Sequence, residues 1–307
     1  VSRYDQYRDS FERKEGASPY HQINTDGYPD ACAKWPDGTL KHAWPPGFVL
    51  NPACGLDMAK RHIPEDLARY AYNGRFIDCM GTCCFWEAED WDPAHPLDAR
   101  GARKAREDLL KYVNSLGLVV GSEGGIDCLL WGLHWLETPM SLVRWTAKRL
   151  NVPSFGPGED FPEYRVSIGR QYRIPFYSLV HHAEVMITWR WEDGFTVLPD
   201  YLEDRILWCL LYGNPPMYFV NPEAYVKNRA AIKDACARIL PWTRKVGYAE
   251  LTNHRFLTPD REVQESTFST GDRIVVNFSR EPHALEDGTV VPARGSVAFD
   301  ATSASAK

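Results

Sequence analysis

From Leu56 to Trp242 short apolar runs alternate with amphipathic stretches of helical length, and this alternation constrains the fold more than any other feature. "LDMAKRHIPEDLARYAY" (Leu56 to Tyr72) repeats apolar side chains at three- and four-residue steps: Leu56, Ala59, Ile63, Leu67 and Tyr70. Pro64 predicts a kink or a fresh start inside it. Gly74 ends the pattern, and "RFID" follows as a short strand. "LDARGARKAREDLLKYVNSLG" (Leu97 to Gly117) predicts a second helix, capped by Asp98 and closed by Gly117. "LVVGSE" and "HWLE" are further short strands. "IPFYSLVHH" (Ile174 to His182) reads as a longer one. "YLEDRILWCLLYGN" predicts a helix, "PMYFV" (Pro216 to Val220) a strand, and "PEAYVKNRAAIKDACARILPW" a long helix opened by Pro222. Wholly apolar strands spaced by helices predict an α/β fold with a parallel sheet covered on both faces.

Past Gly247 the texture changes. "TFSTGDRIVVNFSR" and "GTVVPARGSVAFD" alternate apolar and polar residues around Gly turns, which predicts antiparallel strands. The expected division is residues 1–245 as the α/β part and 246–307 as a small C-terminal β domain, with "ATSASAK" as a disordered tail.

Composition removes some functions. With 35 basic and 41 acidic residues the net charge is −6, and Lys and Arg form no long run. A nucleic-acid surface needs clustered cations and is not expected. Nor is a membrane span, because no apolar stretch approaches about 18 residues. The eight Cys follow no disulfide framework. Cys79, Cys83 and Cys84 cluster without a CxxC pair or a nearby HxxxH, so they read as small apolar side chains under a loop rather than as zinc ligands. The chain opens at Val1, not Met, and the expectation is that it lacks the N-terminus of a longer protein.

Two apolar runs end in a single carboxylate: Asp78 in "FIDCMGTCCFWEAEDW" and Glu123 in "LVVGSEGG". In a parallel αβ barrel catalytic groups stand at the C-terminal ends of the strands. Two opposed carboxylates there are the apparatus of glycoside hydrolysis, one attacking the anomeric carbon and the other managing the proton. The competing reading is a helix N-cap after each strand. Gly121, Gly124 and Gly125 would let a substrate approach the backbone closely. Glu137 ends the next apolar run and either lines the pocket or caps. Asp5 and Gln6 in "RYDQY" read as the end of an earlier strand. Trp86, Trp91, Trp189 and Trp191 lie in polar, turn-rich stretches, where an indole either stacks on a sugar ring or closes a loop over the core. His181 and His182 could hydrogen-bond sugar hydroxyls, or bind a metal with Glu184 or Asp193. Adjacent strand residues face opposite ways, so one of the two belongs to the core.

"GRFIDCMG", "LGLVVGSEGG", "LLYGNPPMYFVN", "KNRAAIKDAC" and "GYAELTNHRFLTPDREVQESTF" together resemble the bacterial glycoside hydrolases related to family 101. That group includes endo-α-N-acetylgalactosaminidases and the family 129 α-N-acetylgalactosaminidases. The resemblance runs from about Tyr4 to about Phe299. It implies a (β/α)8 TIM-type barrel followed by a small antiparallel β-sandwich, with the first barrel strands missing from this chain. It implies a retaining hydrolase of α-linked galactose-type glycosides, N-acetylgalactosamine among them, with Asp78 as nucleophile and Glu123 as acid/base. Asp5, Gln6, Trp86, Glu137, His182, Glu184, Trp189 and Trp191 are the expected substrate contacts. A glycan or glycoprotein partner, no cofactor and an extracellular or periplasmic setting go with it. Counting on from Asp78, "HWLE" would be strand six, "PFYSLVHH" strand seven and "PMYFV" strand eight. Two departures bear on the sugar: His182-Ala183 stands where relatives are expected to read His-Asp, and "CMGTCC" is not a known family feature. The rival readings are a non-catalytic carbohydrate-binding relative and a metal-dependent hydrolase built around His181 and His182.

Overall fold

The computed structural model describes residues 1–16, 23–81, 85–141, 173–191, 195 and 201–301, with the side chains of Phe85, Trp86 and Ser141 left outside the description. The chain divides into two compact units, Val1–Leu136 and Glu137–Lys307. Residues 302–307 of the expected disordered tail, Asp193, Cys83 and Cys84 lie outside the described residues.

The first unit is a parallel sheet with helices on one face. Its strands are β1 (Ser2–Gln6), β4 (Gly74–Asp78) and β5 (Val119–Glu123), followed at the edge of the unit by β6 (Trp135–Glu137), in the spatial order β1-β4-β5-β6. A two-residue antiparallel pair, β2 (Asp9–Ser10) and β3 (Phe48–Val49), lies in the connection. β1 and β4 run parallel with Tyr4 beside Phe76 and Gln6 beside Asp78. β4 and β5 run parallel with Phe76 beside Gly121 and Ile77 beside Ser122. Helix α1 (Pro52–Arg69) starts four residues before the apolar repeat: Asn51 caps it by accepting from the Ala53 N–H, and Pro52 fills the first turn, where an N–H would have no partner. It runs on through Pro64. Helix α2 (Ala99–Ser115) is capped by Asp98, whose carboxylate accepts from the Gly101 N–H at 2.7 Å.

Side chains alternate across each strand. Arg75 and Ile77 of β4 are fully buried. Arg75 donates to Asp66 of α1 at 3.0 Å and to Asp5 of β1 at 3.2 Å, so this face lies against the helix. The opposite face carries Tyr4, Phe76 and Gly121 in one row and Gln6, Asp78 and Glu123 in the next.

The second unit holds α3 (Phe176–His181), β7 (Met186–Ile187), α4 (Leu202–Tyr212) and α5 (Pro222–Val246). Then come β8 (Leu251–Phe256), β9 (Val263–Phe268), β10 (Arg273–Asn277), the short pair β11 (His283–Ala284) and β12 (Val290–Val291), and β13 (Gly295–Phe299). β13-β10-β9-β8 form an antiparallel sheet, as the two-residue alternation predicts. Val263, Val275 and Val291 form an apolar cluster with Leu257, Leu285, Val297 and Phe299. Trp208 of α4 packs against Phe278 at 4.5 Å between ring centroids.

Two predicted strands are absent. "PFYSLVH" is helix α3: the Pro175 carbonyl accepts from the Leu179 N–H, and Ser178 accepts from His182. An apolar run of this length does not separate strand from helix, and Pro175 at the start favours the helical turn. Pro216 to Val220 forms no strand. Pro215 and Pro216 bring no N–H to a ladder, and among the described residues the Met217 carbonyl accepts from the Phe195 N–H.

Candidate active site

Asp78 and Glu123 are the last residues of β4 and β5. The register that sets Ile77 beside Ser122 carries on to set Asp78 beside Glu123, at the same end of the sheet and on the face away from the helices. Oxygens of the two carboxylates lie within 4.8 Å of each other. Both side chains are half-buried. The turn beneath them is held tightly: the Ser122 hydroxyl donates to the Ile77 carbonyl at 2.8 Å and accepts from the Gly81 N–H at 3.0 Å. A side chain at Gly81 would meet the Gly124 carbonyl oxygen at 2.5 Å, so the two loops can close only over a glycine.

Each carboxylate has a neighbour that the composition of the loop did not single out. The Tyr4 hydroxyl donates to Asp78 Oδ2 at 2.8 Å. The Cys79 thiol donates to Glu123 Oε2 at 3.3 Å, with Cys79 itself in the left-handed region at φ 56°. A non-glycine residue held there costs about 1–2 kcal/mol and marks a backbone bent to aim its side chain. Cys79 is therefore no packing thiol. Cys79 directly follows the acid, a signal present in the sequence, whereas Tyr4 is brought to Asp78 only by the pairing of β1 with β4. Asp78, Cys79 and Glu123 together place three donor atoms within 4.8 Å, a set that could take a cation.

Gln6 sits in the carboxylate row and is buried; its amide N–H donates to Asp9 Oδ2 at 3.1 Å. Arg8 donates to the other Asp9 oxygen at 3.1 Å. Burial pushes the Asp9 carboxyl up to about 6; Arg8 opposes this and the charge of Asp78 adds to it. A folded-state value above the unfolded one means that the folded protein binds the proton more tightly. Stability from this group is present at low pH and is lost as pH rises through about 6. Asp9→Asn is expected to remove that loss, because the new amide can donate to Gln6 Oε1, a buried acceptor without a partner, once the Gln6 amide flips. In urea melts at pH 5 and pH 7.5, the native chain should lose about 1.4 kcal/mol more than the variant between the two. Equal losses would rule out Asp9 as the titrating group.

The other expected contacts are placed as follows. Asp5 points to the helix side and pairs with Arg75, while its carboxylate also accepts from Tyr7 at 3.1 Å. Trp86 lies in the 3-10 turn Phe85–Ala88, its side chain outside the description. Trp91, in the same stretch, is exposed. Gly121 opens no room for substrate: its missing Cβ is the place taken by the Trp135 indole.

In the second unit, Glu137 is buried and accepts from the Trp191 N–H at 2.5 Å and the Thr138 hydroxyl at 2.8 Å. Trp191 is exposed and its ring lies 5.2 Å from that of Phe219. Trp189 is a core residue, 1% exposed, with its indole N–H on Cys209 Sγ. His182 is also core: its Nδ1 donates to the Ala249 carbonyl at 2.6 Å, its ring packs on Phe268, and burial lowers its pKa. His181 faces Glu184 at 2.7 Å, and Glu184 is largely exposed.

A family model described as glycosyl hydrolases related to family 101, family 129, matches residues 1–151 and 162–267. Among solved structures, the α-N-acetylgalactosaminidase NagBb of Bifidobacterium bifidum in its GalNAc complex is similar at 22% identity and a TM-score of 0.64, over 95% of this chain and 42% of that one. A pullulanase of Anoxybacillus sp. LM18-11 with maltotriose is similar at 9% identity and a TM-score of 0.52, over 98% and 52%. A family 36 α-galactosidase of Geobacillus stearothermophilus, in complex with raffinose, is similar at 11% and 0.52, over 96% and 43%. This chain thus spans about half or less of the structures it resembles. No curated protein matches it. Among the described residues no helix is long and apolar enough to cross a membrane. With the family model covering most of its length, the chain belongs to the glycosyl hydrolases related to family 101, in family 129.

Proposed function

We propose that Asp78 and Glu123 are the catalytic pair of a retaining α-glycosidase acting on α-linked galactose-type sugars, N-acetylgalactosamine among them. The observation that carries this reading is their pairing: two carboxylates at neighbouring strand ends, with oxygens within 4.8 Å. Retaining enzymes hold their carboxyl groups about 5–5.5 Å apart, whereas inverting enzymes need roughly 6.5–9.5 Å to admit a water. In the same reading the parallel sheet is an arc of a (β/α)8 barrel with the pair at its C-terminal mouth, and residues 246–307 form a β domain attached to it. The name of the NagBb structure supports the choice of sugar.

In this mechanism Asp78 attacks the anomeric carbon as the bond to the leaving oxygen breaks, and Glu123 gives that oxygen its proton. The product of this step is a β-linked glycosyl ester of Asp78. Glu123, now ionised, takes a proton from water. The water oxygen displaces the Asp78 carboxylate and releases the α-anomer.

The test is hydrolysis of 4-nitrophenyl α-galactoside, α-N-acetylgalactosaminide and α-glucoside, followed from the first minute by proton NMR. The α-anomer should appear first and then mutarotate. A β-anomer formed first would discard the retaining assignment, and turnover confined to α-glucosides would discard the sugar.

A further inference from the structure

Tyr4 belongs to a row of aromatic side chains one layer below the carboxylates. Its ring centroid is 6.0 Å from that of Phe76, and the Phe76 centroid is 5.0 Å from that of Trp135. Gly121, in register with Phe76, leaves the space that the Trp135 indole fills. The row seats the phenol on the sheet and aims its hydroxyl one layer up, at Asp78 Oδ2. Among the described residues, Asp78 Oδ1 accepts no hydrogen bond. A carboxylate held at one oxygen turns less freely about its last bond and presents the other.

We propose that Tyr4 is the positioning residue of the nucleophile: its hydroxyl fixes Asp78 Oδ2, so that Oδ1 is the oxygen that attacks the sugar. Burial and the neighbouring Asp78 charge push the phenol's own pKa far above its ordinary range, so it stays a donor at every pH where a glycosidase works. This inference rests on Asp78 being the nucleophile.

The experiment compares Tyr4→Phe, Tyr4→Leu and Asp78→Asn in the whole chain. Tyr4→Phe keeps the ring and its place in the row and removes only the donor. It should lower kcat/KM about ten- to hundredfold, the range of a hydrogen bond to a charged group. The loss should fall on kcat and leave the inhibition constant of galactose unchanged. Tyr4→Leu should add a loss of stability that Tyr4→Phe does not show. Near-native kcat in Tyr4→Phe, with Asp78→Asn inactive, would overturn the positioning role and leave Asp78 as nucleophile. Full activity in Asp78→Asn would overturn both. A double-mutant cycle between Tyr4→Phe and Asp78→Ala, which leaves no side-chain acceptor at position 78, read in urea melts, needs no turnover. Strictly additive effects there would show that the hydrogen bond is absent, and the inference would fall with it.

Discussion

Asp78→Asn is expected to abolish turnover of every substrate, whereas Glu123→Ala should spare those with good leaving groups. The amide at position 78 cannot form the glycosyl ester, so the loss does not depend on the leaving group. Glu123 enters differently. A poor leaving group departs only with a proton, and general acid help of this kind is worth about 10²–10⁴-fold. A 2,4-dinitrophenolate departs as the anion and needs none. Glu123→Ala should therefore still form the glycosyl-enzyme from a dinitrophenyl α-glycoside and stall before water attacks. Azide should then restore turnover, because it needs no general base and fits the space the side chain leaves. The product should be the α-glycosyl azide, formed by attack on the β-linked ester from the opposite face. The measurement is turnover of both substrate types by both variants, with and without azide. Equal losses of Glu123→Ala on good and poor leaving groups, with no rescue, would dismiss Glu123 as acid/base. Near-native rates for Asp78→Asn would dismiss the double displacement altogether.

The pair was legible because its position is a property of the chain's period. Each acid closes a short strand that follows a capped helix, and the strand end is where a side chain leaves the buried sheet for its rim. Their neighbours were harder to see. Tyr4 reaches Asp78 only because β1 pairs with β4 across more than sixty intervening residues, and no local pattern states which strands pair. Cys79 reads as a packing thiol until its left-handed backbone turns it toward Glu123. His182 and Trp189 went the other way. Of the two roles the sequence leaves open for each, sugar contact or core, the structure has the second: His182 closes a helical turn and both are buried in the second unit. The misreading of "PFYSLVH" as a strand has the same origin: six apolar and aromatic residues fit either backbone, and the hydrogen bond from Leu179 back to Pro175 decided it. Asp5 shows how far alternation reaches. It adjoins Gln6 in sequence and faces the opposite side, where Arg75 holds it against α1.

Gly121→Ala is expected to destabilise the first unit severely, although it adds a single methyl group. The new Cβ would stand 2.0 Å from the Trp135 indole carbon Cε2 and 2.2 Å from its nitrogen, with a third ring atom at 2.5 Å. Real contacts of this kind do not occur, so the indole or the strand must move. The indole is not a flexible chain end: it packs on Phe76, which packs on Tyr4. Overpacking of a well-fitted core costs about 1–3 kcal/mol, and a clash with a rigid ring belongs at or above the upper end. Trp135→Ala alone should also be costly, about 3–5 kcal/mol, because it leaves a cavity beside Phe76. Together the two should cost less than their sum, since the cavity takes up the methyl group. A coupling of about 1–3 kcal/mol is the expected size for residues in direct contact. Urea melts of the native chain, the two single variants and the double variant give all four values. Gly121→Ala within 0.5 kcal/mol of the native chain, a change no larger than that of an ordinary surface substitution, would show that Trp135 does not occupy the glycine's space. The aromatic row would then no longer explain how Tyr4 is seated beneath Asp78.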